Sequence, residues 1–191
     1  MTARHLIPAV VLLLINGMSW SAEESDSCKT SSSDCVAAHD LTRLIPAISD
    51  YVARDMRPDL RVATDVSGNA VHVACDGHLF ETILRNLLYN AVRFARGEVR
   101  VTFASHDGLN RLFVDDDGPG IPENKRQRVF ESFVQLGMSD GKKRGFGLGL
   151  AIVRRAVEWH SGRAFITESP LGGARIAVEW PVMKVPTPGR G

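Results

Sequence analysis

Apolar residues recur at helical spacing from Leu41 through Leu44, Ile45, Ile48, Tyr51 and Val52, which predicts an amphipathic helix that Pro58 closes. Two short runs of strand character follow, 60–66 and 70–75, on either side of Ser67-Gly68-Asn69. Asp76 stands where a helix N-cap belongs, ahead of the stripe Leu79, Phe80, Ile83, Leu84, Leu87, Leu88, Ala91 and Val92, and Gly97 ends that second helix. Residues 99–103 and 112–114 alternate about Asp107-Gly108, the pattern of a hairpin. A region rich in glycine and charge holds a short helix candidate at 123–133, and a further long helix runs from Leu148 to near Gly162. Two last strands, 164–167 and 175–180, flank Gly172-Gly173. Strands outnumber helices, the helices are long, and successive strands are hairpin-linked. The expectation is an α+β fold: a two-layer α/β sandwich with helices on one face of a mixed sheet. There is no internal repeat.

The chain has 191 residues, room for one domain of ordinary size plus an extension. Apolar residues make up 44 %, enough for a core, and a net charge of +1 argues against nucleic acid as a partner. The start is unlike the rest. Arg4 and His5 precede an apolar run from Leu6 to Met18, then Ser19-Trp20-Ser21-Ala22 and an acidic, Ser-rich stretch. That order reads as a secretory signal, and the run is short of the about 20 apolar residues a spanning helix needs. A signal over 1–22, an anchor through 6–20 and an accidental gene start all fit, followed by a linker at 23–39, a domain at 40–183 and a tail at 184–191. Cys28 and Cys35 lie in the linker without other ligands at metal spacing, and Cys75 falls in a strand-like run as a core residue.

Four segments carry candidate chemistry. Asn86, Asn90 and Arg93 recur at i, i+4 and i+7 and share the polar edge of the second helix; amide oxygens and a guanidinium suit a magnesium ion and phosphates, although a solvated face would look the same. Asp115-Asp116-Asp117-Gly118-Pro119-Gly120-Ile121-Pro122 follows a strand. Three adjacent carboxylates repel one another and are not expected there for stability. They lack the spacing of a calcium loop, and a buried carboxylate accepting from an exocyclic amine fits better, a bond contributing about 1.5–3 kcal/mol. Val129-Phe130-Glu131-Ser132-Phe133 places two aromatics three apart, by itself core packing. Gly145-Phe146-Gly147-Leu148-Gly149-Leu150 opens a helix whose first amides suit phosphate.

In order and spacing these segments resemble the N, G1, F and G2 boxes of the histidine kinase branch of the GHKL ATPase superfamily, over about residues 40–181. The stretch Ser169-Pro170-Leu171-Gly172-Gly173-Ala174-Arg175 resembles the family's last strand turn, with Ala174 where Thr is commoner. The resemblance implies a Bergerat-type fold binding ATP with Mg2+. Asp116 would receive the adenine amino group, with Gly118, Gly120 and Ile121 shaping the pocket. Asn90 would supply a magnesium ligand and Asn86 would sit beside it. Arg93 would face the phosphates, with Phe94 in place of a frequent Tyr near the base. Residues 133–144 would form a lid in which Lys142, Lys143 and Arg144 meet phosphate, or are simply a solvated loop. Gly145, Gly147, Leu148, Gly149 and Leu150 would hinge that lid and present amides.

The same resemblance implies transfer of the γ-phosphate to a histidine and onward to a response regulator. Where the gyrase and mismatch-repair branches place a Glu that activates water, Asn86 stands, which has no basic group; slow hydrolysis is therefore expected, and no catalytic residue is assigned. His39-Asp40-Leu41 begins like a phosphoacceptor motif, but Thr42-Arg43-Leu44 departs from it. The stretch between His39 and Asn86 is too short for two long helices besides the two strands, so a histidine-bearing dimerisation domain is expected in trans. The alternatives are a nucleotide-binding module without phosphotransfer or the remnant of a truncated kinase. ATP use points to a cytoplasmic or inner-membrane-associated domain, and the signal-like start conflicts with it.

Overall fold

The structure is a computed structural model and describes residues 36–68, 72–134 and 147–183. The signal-like segment, Cys28, Cys35, Lys142, Lys143, Arg144, Gly145 and the tail lie outside the described residues.

Strand β1 (Val36–Asp40) leads into helix α1 (Leu41–Met56), capped by Asp40, which accepts from the Thr42 amide at 3.0 Å. The strand was not expected, because all of it but Asp40 lies where composition suggested linker. It pairs antiparallel with β3 (His72–Asp76), His39 opposite Val73. His39 thus sits on a strand with its ring against Gly77, not on a helical hairpin.

The main sheet has five strands in the order β2-β4-β5-β7-β6: β2 is Arg61–Gly68, β4 Glu98–His106, β5 Leu109–Asp116, β6 Arg163–Glu168 and β7 Ala174–Pro181. Only β2 and β4 run parallel, so the sheet is mixed as expected. Strands β2 and β3, adjacent in sequence, do not pair with each other. Each finds a partner elsewhere, β2 with β4 and β3 with β1. The hairpin between β4 and β5 turns where the sequence placed it, with Asp107 and Gly108 both at positive φ, 54° and 74°.

Helix α2 (Gly77–Phe94) starts at Asp76, whose carboxylate accepts from the amides of His78 and Leu79. It buries Phe80, Ile83, Leu84, Leu87, Leu88, Ala91 and Val92, each large side chain contributing about 1.5–3 kcal/mol. Its packing partners are α1, α3 (Gly149–Trp159) and the sheet face carrying Val99, Val101, Phe103, Leu112, Val114, Ile176 and Val178. The helix ends at Phe94, three residues before Gly97. Residues 123–133 form two 3-10 turns, Glu123–Lys125 and Arg128–Phe130, rather than one helix. Val129 and Phe130 join the core from the second turn, while the adjacent Phe133 is exposed. Cys75 is buried in the core, where burial pushes its thiol up to about 12.

Candidate functional site

The end of β5 meets the end of α2 and the turn before β7, and the acidic triplet lies at that junction. Asp116 is 2 % exposed. Its Oδ1 accepts from the amides of Gly118 at 2.8 Å and Ala174 at 3.2 Å, so among the described residues both bonds fall on one oxygen and the other accepts none. Burial raises its pKa above the ordinary carboxylate value, the two amides pull it down, and the charges of Asp117 and Asp115 push it up again.

Backbone crowds this acid closely. A Cβ on Gly118 would come 2.6 Å from the Phe94 carbonyl, and one on Gly173 would strike Asp116 itself. Gly120 adopts φ 72°, the left-handed region in which a side chain is strained. The Ile121 carbonyl beside it is held by Arg126 Nε at 3.0 Å.

The expectation that the three carboxylates have no structural use is corrected by their surroundings. Strand alternation sends Asp115 and Asp116 to opposite faces of the sheet. Asp115, 1 % exposed, takes two bonds from Arg175, at 2.8 and 2.9 Å. The Arg175 guanidinium also lies over the Phe113 ring, 4.7 Å from its centre. Asp117 accepts from three successive backbone amides, Arg96, Gly97 and Glu98. Each carboxylate therefore has its own donors, which offsets the repulsion between neighbours.

The polar edge of α2 places Asn86, Asn90 and Arg93 in one row as predicted. Asn86 Nδ2 donates to the Thr82 carbonyl at 2.8 Å, and its Oδ1 faces Gly149, 3.0 Å from where a Cβ would stand. Its amide thus serves the contact between α2 and α3. The Asn90 amide forms no hydrogen bond among the described residues and is half-buried. Arg93 is exposed, its guanidinium 5.4 Å from the Phe94 ring centre.

Helix α3 begins at Gly149 after Leu148, and among the described residues no side chain caps it, unlike α1 and α2. Its first amides have no intrahelical partner. Leu150 packs on the core. Gly147, φ 68°, approaches the Val134 carbonyl where a Cβ would clash at 2.9 Å, and its own carbonyl accepts from the Phe133 amide at 2.9 Å. No group of three or more His, Cys, Asp or Glu side chains able to hold a metal occurs among the described residues. No described helix is long and apolar enough to cross a membrane.

Four residues that lie in the quoted motifs have contacts the sequence did not indicate: Arg175 on Asp115, Asp117 on the loop after α2, and Gly173 with the Ala174 amide beside Asp116. The contacts that bring 173–175 to the acids span some 60 positions, 58 for Ala174 to Asp116 and 60 for Arg175 to Asp115. No local pattern signals them.

A sequence profile described as histidine kinase-, DNA gyrase B-, and HSP90-like ATPase matches residues 75–184. The sensor protein kinase CarS of Pseudomonas aeruginosa is 38 % identical over 148 residues, 78 % of this chain and 32 % of that protein. The chain spans about a third of the length of CarS and of the sensor protein RstB of Escherichia coli. Among solved structures, full-length ShkA in complex with AMPPNP superposes with a TM-score of 0.69 at 30 % identity, covering 81 % of this chain and 33 % of that one. The mycobacterial sensor histidine kinase MprB gives a TM-score of 0.65 at 28 % identity, with 77 % and 97 % covered.

Proposed function

The chain belongs to the histidine kinase-, DNA gyrase B- and HSP90-like ATPase family, as an ATP-binding domain of the sensor histidine kinase type, and from that premise we propose that it binds Mg-ATP and passes the γ-phosphate to a histidine on a separate dimerisation domain. The observation that carries the reading is Asp116. A carboxylate buried to this degree, with one oxygen anchored by two amides, is costly to keep unless a donor from a ligand completes it. An exocyclic amine of adenine is such a donor, with Gly118, Gly120 and Ile121 as the surrounding wall and Phe94 beside the base.

The phosphates would then run along α2 toward α3. Arg93 and the open amides at Leu148, Gly149 and Leu150 suit their charge, with Gly147 shaping the approach. Lys142, Lys143, Arg144 and Gly145 are proposed as further contacts from outside the described residues. Asn90 offers an amide oxygen with no competing hydrogen bond. It would hold Mg2+, which binds well through one protein ligand when phosphate and water supply the rest; the metal would neutralise charge on the transferred group.

No group in the row can act as a base, since Asn86 and Asn90 carry amides and Arg93 a protonated guanidinium. The domain therefore supplies alignment and charge, and the nucleophile comes from the accepting histidine. A response regulator is proposed as the onward acceptor. The test is incubation of the chain with γ-labelled Mg-ATP and a histidine-bearing helical hairpin domain. Label on the histidine, lost with Asn90→Ala, is the expected result. ATP binding without label on any hairpin domain would leave a nucleotide-binding module and refute the transfer.

A further inference from the structure

The loop that leaves α2 has every backbone polar group from Ala95 to Glu98 paired. The Ala95 amide closes the helix on Ala91, and the Ala95 and Arg96 carbonyls accept from Arg57 at 3.5 and 3.4 Å. The Gly97 carbonyl accepts from the Arg61 amide, and the Glu98 carbonyl from the Asp117 amide. The three remaining amides, of Arg96, Gly97 and Glu98, all donate to the Asp117 carboxylate, at 2.7, 2.9 and 3.1 Å. Arg57 is itself held by Asp59, at 2.9 and 3.0 Å. One acid on the amides and one guanidinium on the carbonyls thus clamp the loop from two sides.

The clamp joins the two halves of the site. Residue 117 follows Asp116, the proposed acceptor for the base, and the loop it grips follows the turn of α2 that carries Asn90 and Arg93. At the same junction the Phe94 carbonyl abuts Gly118 so closely that no Cβ fits between them. A ligand that engages both the floor and α2 must match the span between them, and misplacement by about 1 Å is costly.

We propose that Asp117, with Arg57 opposite it, is a positioning residue that fixes the span between the base-binding floor and the phosphate-facing edge of α2. The role rests on the nucleotide reading above and touches no ligand atom. It sets how much affinity a nucleotide gains by engaging both ends at once. The bonds from the Arg96 and Gly97 amides to Asp117 are exposed and the one from Glu98 is part-buried, so water can replace most of what the carboxylate supplies when it is removed.

The experiment uses the full chain with Mg-ATP, which spans both ends, and adenosine, which reaches only the floor. Affinities are measured by calorimetry for the wild type, Asp116→Asn, Asp117→Ala and Asp117→Asn, with amide hydrogen exchange at 96–98 as a ligand-free readout. Asp117→Ala is expected to weaken Mg-ATP about tenfold, the size of one charge-assisted hydrogen bond, to leave adenosine within about twofold, and to speed exchange at 96–98. Asp117→Asn, which retains one acceptor oxygen, should restore part of the Mg-ATP affinity, and it carries the comparison if the alanine variant does not fold. Equal weakening of both ligands, or unchanged exchange at 96–98, overturns the positioning role. Wild-type Mg-ATP affinity in Asp117→Ala overturns this inference alone. Absence of Mg-ATP binding by the wild type overturns the nucleotide reading and this inference with it.

Discussion

On the proposed reading, substituting Asp116 by Asn separates recognition from folding, because only one oxygen of this carboxylate is bonded within the described residues. Oδ1 accepts from Gly118 and Ala174, and an Asn carbonyl in the same place accepts both bonds. The amide nitrogen then occupies the position of the second oxygen and points a donor at the ligand. A charge-assisted bond to an amine, contributing about 1.5–3 kcal/mol, is lost, and the conversion at 1.4 kcal/mol per decade gives a fall in ATP affinity of roughly 10- to 150-fold. Stability should move the other way or not at all, since the variant removes a charge whose burial already raises its pKa. Calorimetric titration with Mg-ATP and thermal unfolding without ligand, on the same samples, give both numbers. Unchanged affinity would refute the assignment of Asp116 to the base. A fall in Tm of several degrees, with affinity falling in step, would show instead that the acid acts through the fold.

Acidification tests the same group with a definite sign. Burial, together with the Asp117 and Asp115 charges, holds Asp116 above the ordinary carboxylate value despite its two amide donors. On the proposed reading ligand binding needs the carboxylate, so affinity should be full above that raised value and fall as pH drops through it, earlier than for an ordinary Asp. The same shift adds folding stability as pH falls, because the folded state holds the proton more tightly. A binding profile that is flat down to ordinary Asp titration, or equally steep in Asp116→Asn, would refute this. Arg175→Met probes the neighbouring acid: it keeps an apolar stem over Phe113 and strands Asp115 as a buried charge. Breaking such a pair costs about 3–5 kcal/mol; the partial exposure of Arg175 places the expectation near 3, or about 6–12 °C in Tm for a domain of this size. The double variant Asp115→Asn/Arg175→Met should recover most of that loss, and a single variant as stable as the wild type refutes the role of the pair.

Much of the fold was legible because the signals are local. The Asp76 cap and the stripe from Phe80 to Val92 specify α2 within one stretch of chain. Asp107-Gly108 suits a turn whose two central residues need positive φ. Some of the site was legible for the same reason: Asn86, Asn90 and Arg93 share an edge through helical period alone. The helix expected over 123–133 failed because short 3-10 turns place Val129 and Phe130 in the core without a full helical stripe. Strand β1 escaped because five residues next to a polar, Ser-rich stretch carry no alternation long enough to read.

What the sequence by itself determined is the period of each element, the residue chemistry at each turn, and the order of the boxes from Asn86 to Ala174. Tertiary structure alone decided which strand lies beside which, and so which face of the acidic triplet meets which partner. Hydrophobic alternation names the face a residue occupies, whereas the neighbour on that face comes from a strand far away in sequence. Hence β2 pairs with β4 rather than β3, Asp115 finds Arg175, Asp117 finds the loop after α2, and of the three Asp116 alone keeps an oxygen with no partner among the described residues. Three identical side chains in a row acquire three different roles because the sheet, the turn before β7 and the end of α2 reach them from three directions.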